Sequence, residues 1–300
     1  MEHLYNKNNF RILGGKEMGA FTNKIDFAVL ITVEKANPNG DPLGENRPRE
    51  DFNGHGEISD VCIKRKIRNR LQDMGEEIFV QSNDRCDDGF KSLSERAKGY
   101  EALQKALKAK NEEEARKAVC EKWIDVRTFG QVFAFKGDKS SSVSLGVRGP
   151  VSIQTATSVS PVDIVSMQIT KSVNSEPSDK KSSDTMGMKH RVDFGLYVLK
   201  GSINHQLAEK TGFTDEDAEK VKQALITLFE NDASSARPEG SMEVRKVYWW
   251  KHNCPMGQYS SAKVHRSLKI TEKVNQPRCF EDYDINLESL EGLTLEKYEG

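Results

Sequence analysis

Ten residues from Asp26 to Lys35 (DFAVLITVEK) put Phe27, Val29, Ile31 and Val33 on one side of an extended chain, the period of a β-strand. The strand must stop at once, because Asn37-Pro38-Asn39-Gly40-Asp41-Pro42 follows. Two prolines, two asparagines and a glycine in six residues cannot continue a ladder and force a shaped turn. A long loop then runs to Glu57. Ser59 or Asp60 is placed to cap a helix over VCIKRKIRNRLQDM, with Ile63, Ile67, Leu71 and Met74 along one stripe and Gly75 as its stop.

Residues 76–140 read as an insertion, since Leu93 to Trp123 is charged, alanine-rich and helix-favouring, with little that resembles a strand. Val143 to Thr170 is rich in Ser, Thr, Val and Ile and is expected to be extended. It runs into Ser172–Thr185, a polar tract too poor in apolar residues to pack, expected to be a mobile loop or hairpin tip. Arg191–Lys200 alternates again. A helix opens at Thr214, with Asp217 nearly completing a capping box and Val221, Leu225 and Leu228 on its buried side, before a last strand at Val244–Trp250. The order of strand, helix, two extended segments, helix and strand predicts an α+β, ferredoxin-like fold of the kind used in RNA-recognition domains, with large insertions.

Composition excludes several functions. No apolar run approaches the length of a membrane span, so a membrane partner is not expected. The five cysteines form no C-x-x-C pair and no ligand-like spacing with the six histidines, so neither metal nor cofactor is expected; buried, unreactive thiols in a reducing cytoplasm are. Residues 1–17 are polar and irregular and read as a non-native or disordered leader, with translation starting at Met18.

With a net charge of −1, any nucleic-acid affinity must come from local clusters of cations. The densest is Lys64, Arg65, Lys66, Arg68 and Arg70, five cations in seven positions. On a helix, Lys64 and Arg68 fall on one flank of the apolar stripe, while Lys66 and Arg70 fall on the other. Beside the turn at Asn37 and Asn39, such a flank offers charge and free N–H groups to phosphates without selecting a base. Arg47 and Arg49 are placed to add contacts from the loop. Met186 and Met188, just ahead of Lys189, His190 and Arg191, either wedge against bases at the edge of a hairpin or pack in the core. No phosphate-binding loop, nucleotide fingerprint or nucleophile elbow occurs, and His55, near Asp51 and Glu57, is a loop histidine of the common solvated kind. The aromatic RNA-recognition octamer is also absent, so base stacking on the sheet face is not expected.

The segments ANPNGDP, GEISDVCIKRKIRNRLQ, DVRTFGQVFA, GVRGPVSIQTATSVSPVDIVSMQIT, DTMGMKHRVDFGLYVLKGSIN and ARPEGSMEVRKVYWWKH, in that order, resemble the backbone subunit of the type I-C CRISPR Cascade complex. The resemblance spans roughly Met18 to Leu268. It implies a hand-shaped single domain over 18–270, with an RRM-like palm, helical fingers at about 76–140, a β-hairpin thumb at about 150–190, and a C-terminal tail over 271–300. It also implies that copies stack head to tail along a CRISPR RNA and present its bases to target DNA, beside other Cascade subunits and a recruited helicase-nuclease. Gln154 and Arg237, inside the matched segments, join the expected RNA-binding set. No catalytic residue is then required. Two other functions stay open: an RNA endonuclease using a loop aspartate (Asp41, Asp51 or Asp60), as in related type III backbones, and a stand-alone single-stranded RNA-binding protein.

Overall fold

The computed structural model describes residues 11–13, 16–134, 145–170 and 186–300. In chain order the elements used below are β1 (Ile25–Ala36), β2 (His55–Ile58), α1 (Asp60–Asp73), α2 (Leu93–Gly99), α3 (Glu101–Lys108), α4 (Glu112–Lys122) and α5 (Ile124–Phe129). They continue as β3 (Gly130–Phe133), β4 (Leu145–Arg148), β5 (Val151–Ile153), β6 (Ala156–Pro161), β7 (Ile164–Thr170), β8 (Met186–Ile203), α6 (His205–Thr211) and α7 (Asp215–Ile226). The last are β9 (Met242–Lys251), α8 (Ser261–Arg266), β10 (Leu268–Glu272), β11 (Tyr283–Leu287) and β12 (Thr294–Glu299).

A central antiparallel sheet runs in the order β12-β9-β1-β8-β6-β2, with β5 and β7 also paired to β8, so the fold is mixed α and β. The strand expected at Asp26–Lys35 lies in its middle. Phe27, Val29, Ile31 and Val33 point to the side covered by α1 and α7, where they meet Ile63, Ile67, Leu71, Val221 and Leu225. Ser59 caps α1 through its hydroxyl, and Thr214 with Asp217 makes both bonds of a full capping box on α7. Met74, expected to extend the α1 stripe, is instead the C-terminal cap and 39% exposed, because the helix ends one residue earlier.

The other face of the sheet is also covered. Ala28, Leu30, Leu196, Tyr248 and Trp250 lie beneath Val264, Leu268 and Tyr283. Residues 271–300, expected to be a tail, are therefore part of the fold: β10 pairs with β11, and β12 adds an edge strand to β9. Their apolar residues are spaced too widely to show a period, yet Tyr283, Ile285, Leu287 and Leu295 all pack under the sheet or at its edge. Glu296 on β12 accepts from Lys222 on α7 and pairs with Lys251 on β9. Burial alone would raise its pKa, but hydrogen bonds from Lys222, Lys251 and Tyr298 outweigh that and hold it at about 2. This stabilisation is complete above the ordinary glutamate value of 4.5 and is lost as pH falls toward 2. Urea titrations between pH 5 and pH 3 should show stability dropping, with a smaller drop in Glu296→Gln.

The insertion has a core of its own, in which Phe79 lies 4.7 Å from the Trp123 ring and 4.9 Å from that of Phe133, with Leu103, Val119, Leu145 and Val147 around them. It is not purely helical, since β3 and β4 close it as a two-stranded ladder. At the junction Gly130 has φ +81, and a Cβ there would lie 2.4 Å from the Val147 carbonyl oxygen, so the backbone crossing needs glycine. Two buried ion pairs fasten this unit to α1 and α7. Asp125 accepts from the Phe79 and Val80 amides and from Arg68, and Arg127 grips Asp217 with two bonds of 2.9 and 2.8 Å.

β8 is 18 residues long. Its later part pairs with β1 from Val192–Ala36 to Ile203–Ile25, and its earlier part pairs, among the described residues, with β7, from Ile164–Val192 out to Thr170–Met186. A two-stranded hairpin therefore projects beyond the sheet. Its expected polar tip, Ser172–Thr185, lies outside the described residues. So does most of the expected leader, of which Arg11–Leu13 pairs with Lys16–Met18. Cys86 and Cys279 are exposed rather than buried, because both sit in short turns at the surface; only Cys120 is fully inside.

Candidate nucleic-acid interface

The Asn37–Asp41 bend sits against the first turn of α1. The Asn39 side-chain oxygen accepts from both the backbone N–H and the hydroxyl of Ser59, at 2.9 and 2.8 Å. The Asn37 side chain donates to the Asn46 carbonyl, its amide donates to the Ala236 carbonyl, and it is only 4% exposed. The Asn37 side-chain nitrogen and the Asn39 side-chain oxygen, in residues expected as RNA contacts, thus help shape the bend, and Asn37 lies below the surface.

The cation run on α1 divides. Lys64 is paired with Asp60 at 2.9 Å, while Arg65 makes no ion pair within 4.0 Å among the described residues. Lys66 is fully buried against Asp232 and over the Phe229 ring, and burial pushes its ammonium pKa down. Arg70 is held by Thr227, Asp73 and Glu230. Arg68, expected to act with Lys64, is instead tied to Asp125 at 2.9 Å and stacked on Phe129, with its side chain 13% exposed. It shares the flank of Lys64 as the helical period requires. The insertion returns α5 onto that part of the flank, a long-range contact that no local pattern reveals.

Arg47 reaches the projecting hairpin. Its guanidinium donates to the Ser166 hydroxyl at 3.2 Å, and the same hydroxyl lies 2.8 Å from His190 Nδ1. Cross-strand register places Met186, Met188 and His190 on one hairpin face with Ser166 and Gln168, and Lys189 and Arg191 on the other with Met167 and Val165. Met186 and Met188 are about half exposed, at 53% and 49%, so they are not core residues. Gln154 is exposed in the link between β5 and β6, its amide donating to the Lys200 carbonyl. Arg237 is paired with Asp232 and sits on the loop whose Ala236 carbonyl receives the Asn37 amide.

The loop thus touches the start of α1 through Asn39 and Ser59 and touches the hairpin through Arg47, Ser166 and His190, with Met188 and Met186 further out on that hairpin face. Ser59 and Ser166 join these walls, and no sequence signal marks either of them for that task. The face of the sheet away from α1 and α7 is covered by Val264, Leu268 and Tyr283 of the C-terminal segment.

Residues 23–288 match the sequence pattern that defines CRISPR-associated protein Cas7. The chain belongs to the Cas7 family. A curated relative, the CRISPR-associated protein Cas7 of Haloferax volcanii, is 25% identical over 227 residues, covering 71% of this chain and 66% of that protein, just under two thirds of its length. Among solved structures, a chain of a pre-nicking CRISPR RNA-guided surveillance complex aligns over 76% of this Cas7-family chain and 78% of its own, at 15% identity and a TM-score of 0.44. A second CRISPR RNA-guided surveillance complex aligns over 76% and 69%, at 16% identity and a TM-score of 0.42.

Proposed function

We propose that this chain is the guide-RNA-binding backbone subunit of a type I-C CRISPR surveillance complex, which coats CRISPR RNA by head-to-tail polymerisation and presents its bases to target DNA. The observation that carries the reading is that one loop touches both the start of α1 and a projecting hairpin, so that Arg47 and His190 meet at Ser166 beside two exposed methionines. A subunit that accepts any guide must hold phosphate and ribose and leave base edges free, so that pairing supplies the specificity. The strand order β9-β1-β8-β6 with α1 and α7 on one face supports the RRM-like palm, the insertion with its own core supports fingers, and the β7–β8 hairpin supports a thumb. Other Cascade subunits and a recruited helicase-nuclease are its partners in the cytoplasm.

The subunit binds without cutting. The three loop aspartates have structural tasks: Asp41 pairs with Arg49, Asp60 pairs with Lys64, and one Asp51 oxygen accepts the amides of Asn53 and His55. Incubating the assembled complex with matched RNA and Mg²⁺ should leave the RNA intact. Site-specific cleavage abolished by Asp41→Ala, Asp51→Ala or Asp60→Ala would replace this reading with the endonuclease. A protein that stays monomeric on long RNA, by light scattering, would favour the stand-alone binder.

A further inference from the structure

The loop that carries Arg47 and the hairpin that carries His190 are far apart in sequence, and the strand Arg47–Pro48 lies alongside β8. Between their side chains stands one hydroxyl. Ser166 Oγ accepts from Arg47 Nη1 at 3.2 Å and lies 2.8 Å from His190 Nδ1. A serine hydroxyl has one hydrogen to give and lone pairs to receive. With the guanidinium, which can only donate, on one side, the hydroxyl keeps one hydrogen and one lone pair for the imidazole. The hydroxyl can bridge the two side chains whichever ring nitrogen of His190 carries the proton, and the other ring nitrogen, Nε2, is buried and without a partner among the described residues.

We propose that Ser166 is a positioning residue that couples Arg47 to His190, so that the loop wall and the hairpin wall grip a single-stranded RNA backbone as one unit. The inference rests on the reading of this surface as an RNA site. Ser166 is exposed and touches no core, so its role is not to hold the fold together. Its hydroxyl fixes the direction of a long, flexible arginine and of an imidazole on the projecting hairpin, lowering the ordering cost of binding. Met188, one register step further out on the same face as His190, is carried with it.

The test is a double-mutant cycle in the full-length protein on a short single-stranded RNA with room for one copy. Ser166→Ala should weaken binding about threefold to tenfold, and Ser166→Thr, which keeps the hydroxyl, should return it to within about twofold of the original. Arg47→Ala and His190→Ala should be non-additive by at least about threefold when residue 166 is serine, and additive when it is alanine. A purely structural role would not move that coupling. Equal affinity in the serine and alanine forms, or the same coupling in both, overturns the proposal. Amide exchange without RNA separates the two possible failures: Ser166→Ala should speed exchange at residues 44–47. Faster exchange in a protein whose wild type binds no RNA would sink the RNA reading and the proposal's grip with it, while leaving the loop-to-hairpin tie in place. Unchanged exchange would sink the tie itself.

Discussion

Arg127→Ala is expected to lower the free energy of unfolding by about 3–5 kcal/mol, the largest stability loss expected from deleting one half of an ion pair in this protein. The guanidinium makes a two-bond grip on Asp217 and a third bond to the Cys120 carbonyl, and both partners are buried. Removing it leaves the Asp217 carboxylate inside the protein, still holding the first turn of α7 through the Thr214 amide but facing no cation. It also removes one of the two ion pairs that join the insertion to α1 and α7. A denaturant midpoint close to that of the wild type would show that the pair is not what joins the two units. Exchange measured by residue should show α4 and α5 losing protection before β1 and β8.

The second large effect separates two arginines and a lysine on one helix. Lys64→Ala with Arg65→Ala is expected to weaken RNA binding by about tenfold or more at moderate salt. It should also flatten the slope of log affinity against log salt by about 1.4, since each phosphate of a single strand that is no longer neutralised accounts for about 0.7. Thermal stability should hardly change, since Lys64 has only a partly exposed pair with Asp60. Arg68→Ala should do the reverse, lowering stability because Asp125 is left without its cation while the Phe79 and Val80 amides still depend on it, and leaving the salt slope as it was. Filter binding and thermal denaturation on the same preparations distinguish the outcomes. A flattened slope in Arg68→Ala would return that residue to the RNA surface.

The difference between Lys64 and Arg68 shows what a sequence can and cannot tell. Both lie on the flank that the helical period assigns them, and the period is local information. Which stretch of that flank stays open depends on α5, more than 50 residues later, folding back so that Asp125 meets Arg68. The same limit explains the C-terminal segment: Val264, Leu268 and Tyr283 form no pattern along the chain, and only the exposed second face of the sheet gives them a place. By contrast, β1, the bend after it, the caps at Ser59 and Thr214, and the apolar faces of α1 and α7 are all legible, because spacing and turn chemistry decide them within a few residues. Asn37 and Asn39 stand out by their turn, but their bonds to Asn46 and Ser59 are not marked there, since a side chain that shapes a bend and one that greets a ligand look alike in sequence. Met186 and Met188 fit a core or a surface equally well along the chain, and only their exposure decides.

On this account the surface holds the RNA chain and ignores its sequence. The most direct measurement is the affinity of the full-length protein for two single-stranded RNAs of equal length and unrelated sequence, across a salt series. The account predicts affinities within about twofold of each other at every salt concentration and parallel, steep salt slopes. A preference of about a hundredfold for one sequence, or an affinity indifferent to salt, would contradict it.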